Sequence, residues 1–110
     1  MFEHYVPIGD SMTIDFYAAS DAHSKGHTHL DQVGAASLLF ANNSEIFPEF
    51  AGNDLVSLYP GIKFADLSFD GATIESLLDH KFQAKLAHYE HSKDIITVTV
   101  GGNDLLEALN

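Results

Sequence analysis

Hydrophobic and polar residues follow one another along this chain in short blocks whose period changes several times. An apolar run from Tyr5 to Ile8 ends in a glycine turn, which predicts a strand followed by a helix over Thr13 to Ala19. Pro7 gives this strand an edge-like or bulged character, because proline cannot donate to a sheet ladder. The polar stretch from Ser20 to His29 predicts a loop.

The middle of the chain has a weaker pattern. Val33 to Phe40 is apolar and rich in small residues, so its period does not distinguish a helix from a strand. Asn53 or Asp54 is a suitable cap for a short helix that runs to Tyr59, where a proline and a glycine end it.

The second half shows clear alternation and helical spacing. Ile62 to Ser68 alternates and predicts a strand. Apolar residues then recur at three- and four-residue steps from Ile74 to Tyr89, which predicts an amphipathic helix with Thr73 as its cap and Ser76 as a second candidate. Asp94 to Val100 is rich in β-branched residues and predicts another strand. Strands alternating with helices indicate an α/β fold with a parallel sheet.

Composition narrows the range of functions. The 110 residues suffice for a single domain, and a hydrophobic fraction of 45% allows a core. A net charge of −11 disfavours nucleic acid and anionic lipid as partners, and the absence of cysteine excludes disulfides and thiolate chemistry. No run approaches the roughly 20 apolar residues of a membrane span. The start lacks a basic segment followed by an apolar one, so we expect a cytoplasmic protein without a signal peptide.

The first candidate for chemistry is Ser11, in the turn Gly9-Asp10-Ser11-Met12. A serine between a strand and a helix lies at the carboxyl end of the strand, where α/β sheets bind ligands. Free N–H groups at the start of a helix can also stabilise an oxyanion there. The alternative is that Ser11 or Asp10 simply caps the following helix.

Two further glycine turns follow predicted strands. In Gly101-Gly102-Asn103-Asp104, the asparagine amide is a neutral donor suited to an oxyanion, although Asn103 or Asp104 can equally cap the last helix. In Asp70-Gly71-Ala72-Thr73, the Gly71 N–H can serve the same oxyanion or the glycine can simply form the turn. Because parallel strands end at one edge, Ser11, Gly71 and Asn103 are expected to converge.

Taken in order, these three blocks resemble the SGNH-hydrolase family, the GDSL lipases and esterases. The resemblance implies a flavodoxin-like three-layer sandwich and ester hydrolysis through an acyl-serine intermediate, with a small-molecule ester as substrate and no cofactor or metal. It implies Ser11 as nucleophile and oxyanion N–H donor, Gly71 as backbone donor and Asn103 as side-chain donor. The residues beside them in the blocks, taken as supporting residues, are Asp10, Gly102 and Asp104.

The chain departs from the family pattern after Asn103. The family's last block is an Asp-x-x-His that supplies the base and its orienting acid, and no such block follows here. We therefore expect a domain over 1–110 that is truncated at its carboxyl end, with about three of the usual five strands. The alternative is that the base comes from elsewhere.

The histidines and several aromatic residues can serve either a functional site or the structure alone. His23, His27 and His29, with Asp21 and Asp31, form the only metal-like cluster in the sequence, or simply a polar loop. We expect surface positions for His80, His88 and His91, and we expect His4 at the sheet end opposite the crevice. Aromatic residues suited to an acyl pocket or to the core are Phe47, Phe50 and Tyr59.

Two functions from other classes remain open. A catalytically silent module would self-associate through the bare edge of the strand from Ile95 to Val100, giving a homo-oligomer. A flavodoxin-like anion or nucleotide binder would use the helix after Ser11. The sequence lacks the Walker lysine and the G-x-G-x-x-G run of such proteins, and its charge opposes that function.

Overall fold

The computed structural model describes residues 1–89 and 92–110 and has a mixed α/β architecture built on a parallel sheet. His91, one of the predicted surface histidines, lies outside the described residues. The elements in chain order are β1 (His4–Ile8), α1 (Phe16–Ser24), α2 (Ala35–Phe40), a 3-10 turn (Pro48–Phe50), α3 (Leu55–Leu58), β2 (Lys63–Phe64), α4 (Ile74–Leu77), α5 (His80–Leu86), β3 (Asp94–Val98) and α6 (Gly102–Leu109).

The sheet has the strand order β2-β1-β3, with both outer strands parallel to β1. His4 is level with Lys63 on one side and with Asp94 on the other. This order is that of the first three strands of the flavodoxin-like arrangement 2-1-3-4-5. The predicted α/β class is confirmed, and the sheet is consistent with a small, incomplete fold of that kind.

Pro7 lies in the central strand, not in the edge or bulged strand that the sequence indicated, and it is fully buried. Its carbonyl accepts a hydrogen bond from the Leu67 N–H at 3.0 Å, while Ala65 N–H donates to the Tyr5 carbonyl at 2.9 Å. A parallel ladder would also join the amide of residue 7 to the Ala65 carbonyl, and proline has no N–H to donate. Regular β2 accordingly ends at Phe64, although alternate bonds to β1 continue as far as Phe69.

Helical segments cover both faces of the sheet. On one face, Tyr5 packs in a core cluster with residues of α2, α3 and the loop before β2, which are Ala36, Leu55 and Ile62. On the other face, His4 contacts Tyr89, just after α5, with ring centroids 5.5 Å apart. Three layers therefore bury β1, and Val6 at its centre is fully inaccessible to solvent.

The helix after Ser11 begins later than the sequence indicates. The Asp10 carbonyl accepts hydrogen bonds from both the Thr13 and Ile14 amides, so this segment is a turn. The helix α1 starts at Phe16 and extends to Ser24, into the stretch expected to be a loop.

Several other boundaries shift for local reasons. The ambiguous stretch from Val33 to Phe40 contains the helix α2. Asp54 caps α3 as predicted, and Thr73 caps α4 in a reciprocal capping box with Ser76. The predicted long helix from Ile74 to Tyr89 is divided because the Asp79 side chain accepts from the Lys81 amide and begins α5. In the described part of the chain, no helix has the length and apolar character needed to cross a membrane.

Candidate functional site

Hydrogen bonds to Asp10 close the turn after β1, and the Ser11 hydroxyl does not cap the helix that follows. Asp10 is 4% exposed, and its Oδ1 accepts from the Met12 amide at 3.0 Å. This bond and the two amides bound by the Asp10 carbonyl close the turn before the helix. Neither Asp10 nor Ser11 caps α1, because its cap position is Asp15, which makes no side-chain cap bond. Ser11 itself is half-buried, at the carboxyl end of the central strand.

Gly71 lies in an open turn at the same edge of the sheet. Its φ is +80°, a left-handed conformation that disfavours side chains, and a Cβ there would meet nothing within 4 Å. The next residue, Ala72, is fully buried, so the turn is fixed on the protein while its tip faces open space. A ligand atom therefore has room to approach the Gly71 backbone.

Asn103 lies in the first turn of α6, where its side chain bonds the turn of Gly71. Its Nδ2 donates to the Ala72 carbonyl at 3.0 Å. The Asp104 carboxylate accepts from the Ile74 amide at 3.1 Å through Oδ2. The predicted cap at Asn103 or Asp104 is wrong, because Gly101, with φ +119°, holds the cap position of α6.

The last backbone bonds between the strands lead the three blocks to the same edge of the sheet. The Phe69 N–H donates to the Gly9 carbonyl at 3.0 Å, and the Thr99 N–H donates to the Ile8 carbonyl at 2.8 Å. A Cβ on Gly102 would lie 3.9 Å from Asp10 Oδ2, so the first and third blocks approach each other. Ser11, Gly71 and Asn103 thus each lie in a segment that follows a strand at the carboxyl edge of the sheet.

This edge carries hydrogen-bond donors without acceptors. Among residues 1–89 and 92–110, neither the Ser11 N–H nor the Gly71 N–H donates to a protein acceptor. Asn103 Nδ2 has two N–H groups, and its one recorded bond goes to Ala72. Donors that are fixed in place and not yet bonded are what an oxyanion requires.

The described histidines that make side-chain bonds have partners elsewhere. His4 Nδ1 lies 2.9 Å from Asp94 Oδ1, at the amino end of the sheet, as predicted for His4. His23 Nε2 lies 3.0 Å from Asp31 Oδ1 on the exposed surface. No described histidine forms a hydrogen bond with Ser11. Within the described ranges no group of three metal-ligating side chains is assembled, so His23 in α1 does not form a ready metal site with His27 and His29.

The aromatic residues expected in the core or an acyl pocket are divided between two places. Tyr59 packs edge-to-face on Phe2 beside the core, with centroids 5.0 Å apart. Phe47 and Phe50 line a largely apolar cavity of about 270 Å³ beyond the carboxyl end of α2. The amino end of α2 is the end that contacts the Ser11 turn, through Ala36 N–H and the Thr13 carbonyl at 3.3 Å. The cavity is therefore separate from the Ser11 edge.

Two side-chain pairs have no signal in the sequence. Tyr17 donates its hydroxyl hydrogen to Asp70 Oδ2 at 2.8 Å, across 53 positions of the chain. His4 and Asp94 meet across 90 positions because they start neighbouring strands in register. The register of the strands determines the second pair and the packing of α1 determines the first, and neither is visible in local periodicity.

The fold and the site define a parallel α/β protein whose carboxyl edge gathers a serine, a glycine turn and an asparagine amide. Comparison with family models, with curated proteins and with solved structures gives no match for this chain.

Proposed function

We propose that this chain carries the nucleophile and the oxyanion donors of an SGNH-type serine hydrolase that acts on carboxylic esters. The supporting observation is the convergence of Ser11, Gly71 and Asn103 at one edge, with the two backbone donors unbonded among the described residues. The Ser11 hydroxyl is also not engaged in capping, which removes the main structural reason for a serine in this turn.

In the proposed reaction, Ser11 Oγ attacks the ester carbonyl carbon while a base removes the hydroxyl proton. The Ser11 N–H, the Gly71 N–H and the Asn103 amide donate to the oxyanion. Collapse of the tetrahedral intermediate breaks the bond to the alcohol oxygen, which takes the proton from the base. Water then attacks the acyl-serine, and the acid is released with Ser11 restored. The described histidines do not bond Ser11, so the base is supplied from elsewhere.

The test measures covalent labelling of Ser11 by a fluorophosphonate, with and without added imidazole as an external base. The site of the adduct is determined by peptide mass spectrometry. We expect slow labelling of Ser11 that imidazole accelerates and that Ser11→Ala abolishes. The control is Ser20→Ala, which removes an exposed serine of α1 and should leave labelling of Ser11 unchanged.

The outcomes separate the parts of the proposal. If Ser11 reacts no faster than exposed serines such as Ser20, with or without imidazole, the hydrolase proposal fails. Rapid labelling without imidazole would retain the nucleophile and refute the statement that the base is supplied from elsewhere.

A second candidate function, self-association, is favoured by the outer edge of β3. In the described part of the chain, β3 pairs with β1 and with no other strand. Ile96 and Val98 on this strand are 38% and 59% exposed. An outer strand with exposed apolar residues is a template for pairing with another chain. The helix α6 follows β3 in the chain and carries further exposed leucines, which are Leu105, Leu106 and Leu109.

Light scattering at increasing protein concentration tests this candidate. Self-association predicts a mass that rises above the 12.0 kDa of one chain and a return to the monomer in Val98→Lys. A matched control is Leu58→Lys, because Leu58 is equally exposed and lies in α3, away from this edge. A monomer at every concentration would contradict the candidate.

The expected cellular setting belongs to the same proposal. We place the hydrolase in the cytoplasm with a small-molecule ester as substrate, and without a nucleic-acid partner because the net charge is −11. Fractionation of cells that express the protein tests the location.

A further inference from the structure

The bond between Tyr17 and Asp70 connects the helix after the Ser11 turn to the turn that carries Gly71. Asp70 follows Phe69, whose N–H bonds the Gly9 carbonyl before the Ser11 turn, and immediately precedes Gly71. The Tyr17 hydroxyl donates to Asp70 Oδ2 at 2.8 Å. The bond therefore joins the segment after Ser11 to the segment of Gly71.

The two residues that flank Gly71 in the chain are each held by a hydrogen bond. On one side, Asp70 is bonded by Tyr17, and on the other the Ala72 carbonyl accepts from Asn103 at 3.0 Å. Between these two anchors the Gly71 turn is exposed and is not packed by other side chains. The direction of the Gly71 N–H thus depends on both anchors.

Tyr17 lies in the first turn of α1, and hydrogen bonds to the residue before this helix fix its start. Asp15, which precedes α1, accepts from the Gly34 amide at 2.8 Å and from the Ser37 hydroxyl at 3.0 Å. These two bonds tie the start of α1 to the start of α2. The Tyr17 ring therefore extends from a rigid base, two residues after Asp15.

We propose that Tyr17 is a positioning residue that, through Asp70, fixes the Gly71 N–H for the oxyanion. This inference rests on the hydrolase function proposed above. Tyr17 is about half exposed and Asp70 is exposed, so the bond contributes little to the stability of the fold. Its main consequence is the placement of the turn between Asp70 and Ala72.

The ionisation of Tyr17 agrees with a donor and not with a base. The hydrogen bond to Asp70, followed by the charge of that carboxylate, raises the pKa of Tyr17 above its usual value near 10. The phenol thus stays protonated at neutral pH and continues to donate to Asp70. A tyrosine that replaced the missing base would need the opposite shift.

The experiment compares Tyr17→Phe with the parent protein in the imidazole-assisted labelling of Ser11. We expect the labelling rate to fall by about tenfold, because a Gly71 N–H that is displaced from the oxyanion loses part of the roughly 100- to 1000-fold effect of one such donor. The NMR signal of the Gly71 amide should shift at the same time, while urea unfolding stays unchanged. Asp70→Asn keeps an acceptor oxygen for the Tyr17 hydroxyl and should therefore keep most of the parent's labelling rate. Asp70→Ala removes the acceptor and should lower the rate as Tyr17→Phe does. The control Phe50→Leu changes an exposed aromatic residue at the separate cavity and should have no effect.

Each outcome decides a separate point. If the parent is labelled and Tyr17→Phe reacts at the same rate, the positioning role is refuted. A slower rate with an unchanged Gly71 amide also refutes it, because the effect would then not pass through Gly71. If the parent itself is not labelled at Ser11, the hydrolase proposal fails, and the inference fails with it.

Discussion

Replacement of Asn103 by alanine separates stabilisation of the fold from stabilisation of an oxyanion. Toward the residues that the structure describes, the side chain makes one hydrogen bond, from Nδ2 to the Ala72 carbonyl at 3.0 Å. Loss of a bond of this kind costs about 1 kcal/mol of the free energy of unfolding. Alanine is the better helix former by roughly 0.5 kcal/mol, which offsets part of this cost in α6. The variant should therefore stay folded.

The expected effect on reactivity is much larger. If Asn103 donates to the oxyanion, its removal should slow labelling of Ser11 by about 100- to 1000-fold, or roughly 3–4 kcal/mol. This is several times the stability cost, so the two effects can be distinguished in one variant. Urea unfolding measures the first, and the rate of labelling with imidazole present measures the second. Asn53→Ala, at an exposed asparagine outside the cluster, is the matched control.

Two results would refute this reasoning. A folded Asn103→Ala protein that reacts at the parent rate would mean that the amide does not contribute to an oxyanion. A protein that loses its cooperative unfolding would mean that the contact with Ala72 stabilises the fold far more than one hydrogen bond explains.

The remaining predictions concern stability. His4→Phe should lower the free energy of unfolding by about 1–3 kcal/mol, because the Asp94 side chain is 1% exposed and would lose its bond to His4; an unchanged urea midpoint would contradict this. Gly9→Ala should cost about 1–3 kcal/mol, since a Cβ would collide with the buried Thr13 side chain, and a melting temperature equal to the parent's would refute it. Hydrogen bonds from Ser57 and from the Asn42 amide lower the pKa of Asp54. Asp54 therefore adds to the free energy of unfolding above its unfolded pKa near 4, and this stabilisation is lost as the pH falls through the folded pKa. Asp54→Ala should therefore weaken the dependence of stability on pH in this acid range, and an unaltered dependence would argue against this.

Where local chemistry determined the structure, the sequence predicted it well. The strand at Asp94 was visible from its β-branched residues, and Asp54 and Thr73 were recognisable caps because each can bond an amide just after it. The three blocks of the candidate site followed from one further step, the convergence of parallel strand ends. The bond from Asn103 to the Ala72 carbonyl agrees with this step for the second and third blocks, and the roles of Ser11, Gly71 and Asn103 stay predictions.

Where two local signals competed, or where register decided, the sequence was insufficient. The apolar spacing from Ile74 to Tyr89 continued through Asp79, whose side chain nevertheless starts a new helix. Asp10 and Ser11 were both candidates to cap the next helix, whereas α1 starts later, with Asp15 at its cap position, and Asp10 only closes the turn. The Tyr17–Asp70 bond depends on how distant segments align, which no local period encodes.

Pro7 has a consequence for the chain before it folds. In the native sheet the missing N–H removes one bond, once per molecule, and its carbonyl still accepts from Leu67. Stacked copies of the segment from His4 to Ile8 in a cross-β fibril would lack that bond in every layer. The most buried strand of the protein is therefore also protected against aggregation at the stage when it is exposed, during synthesis and folding.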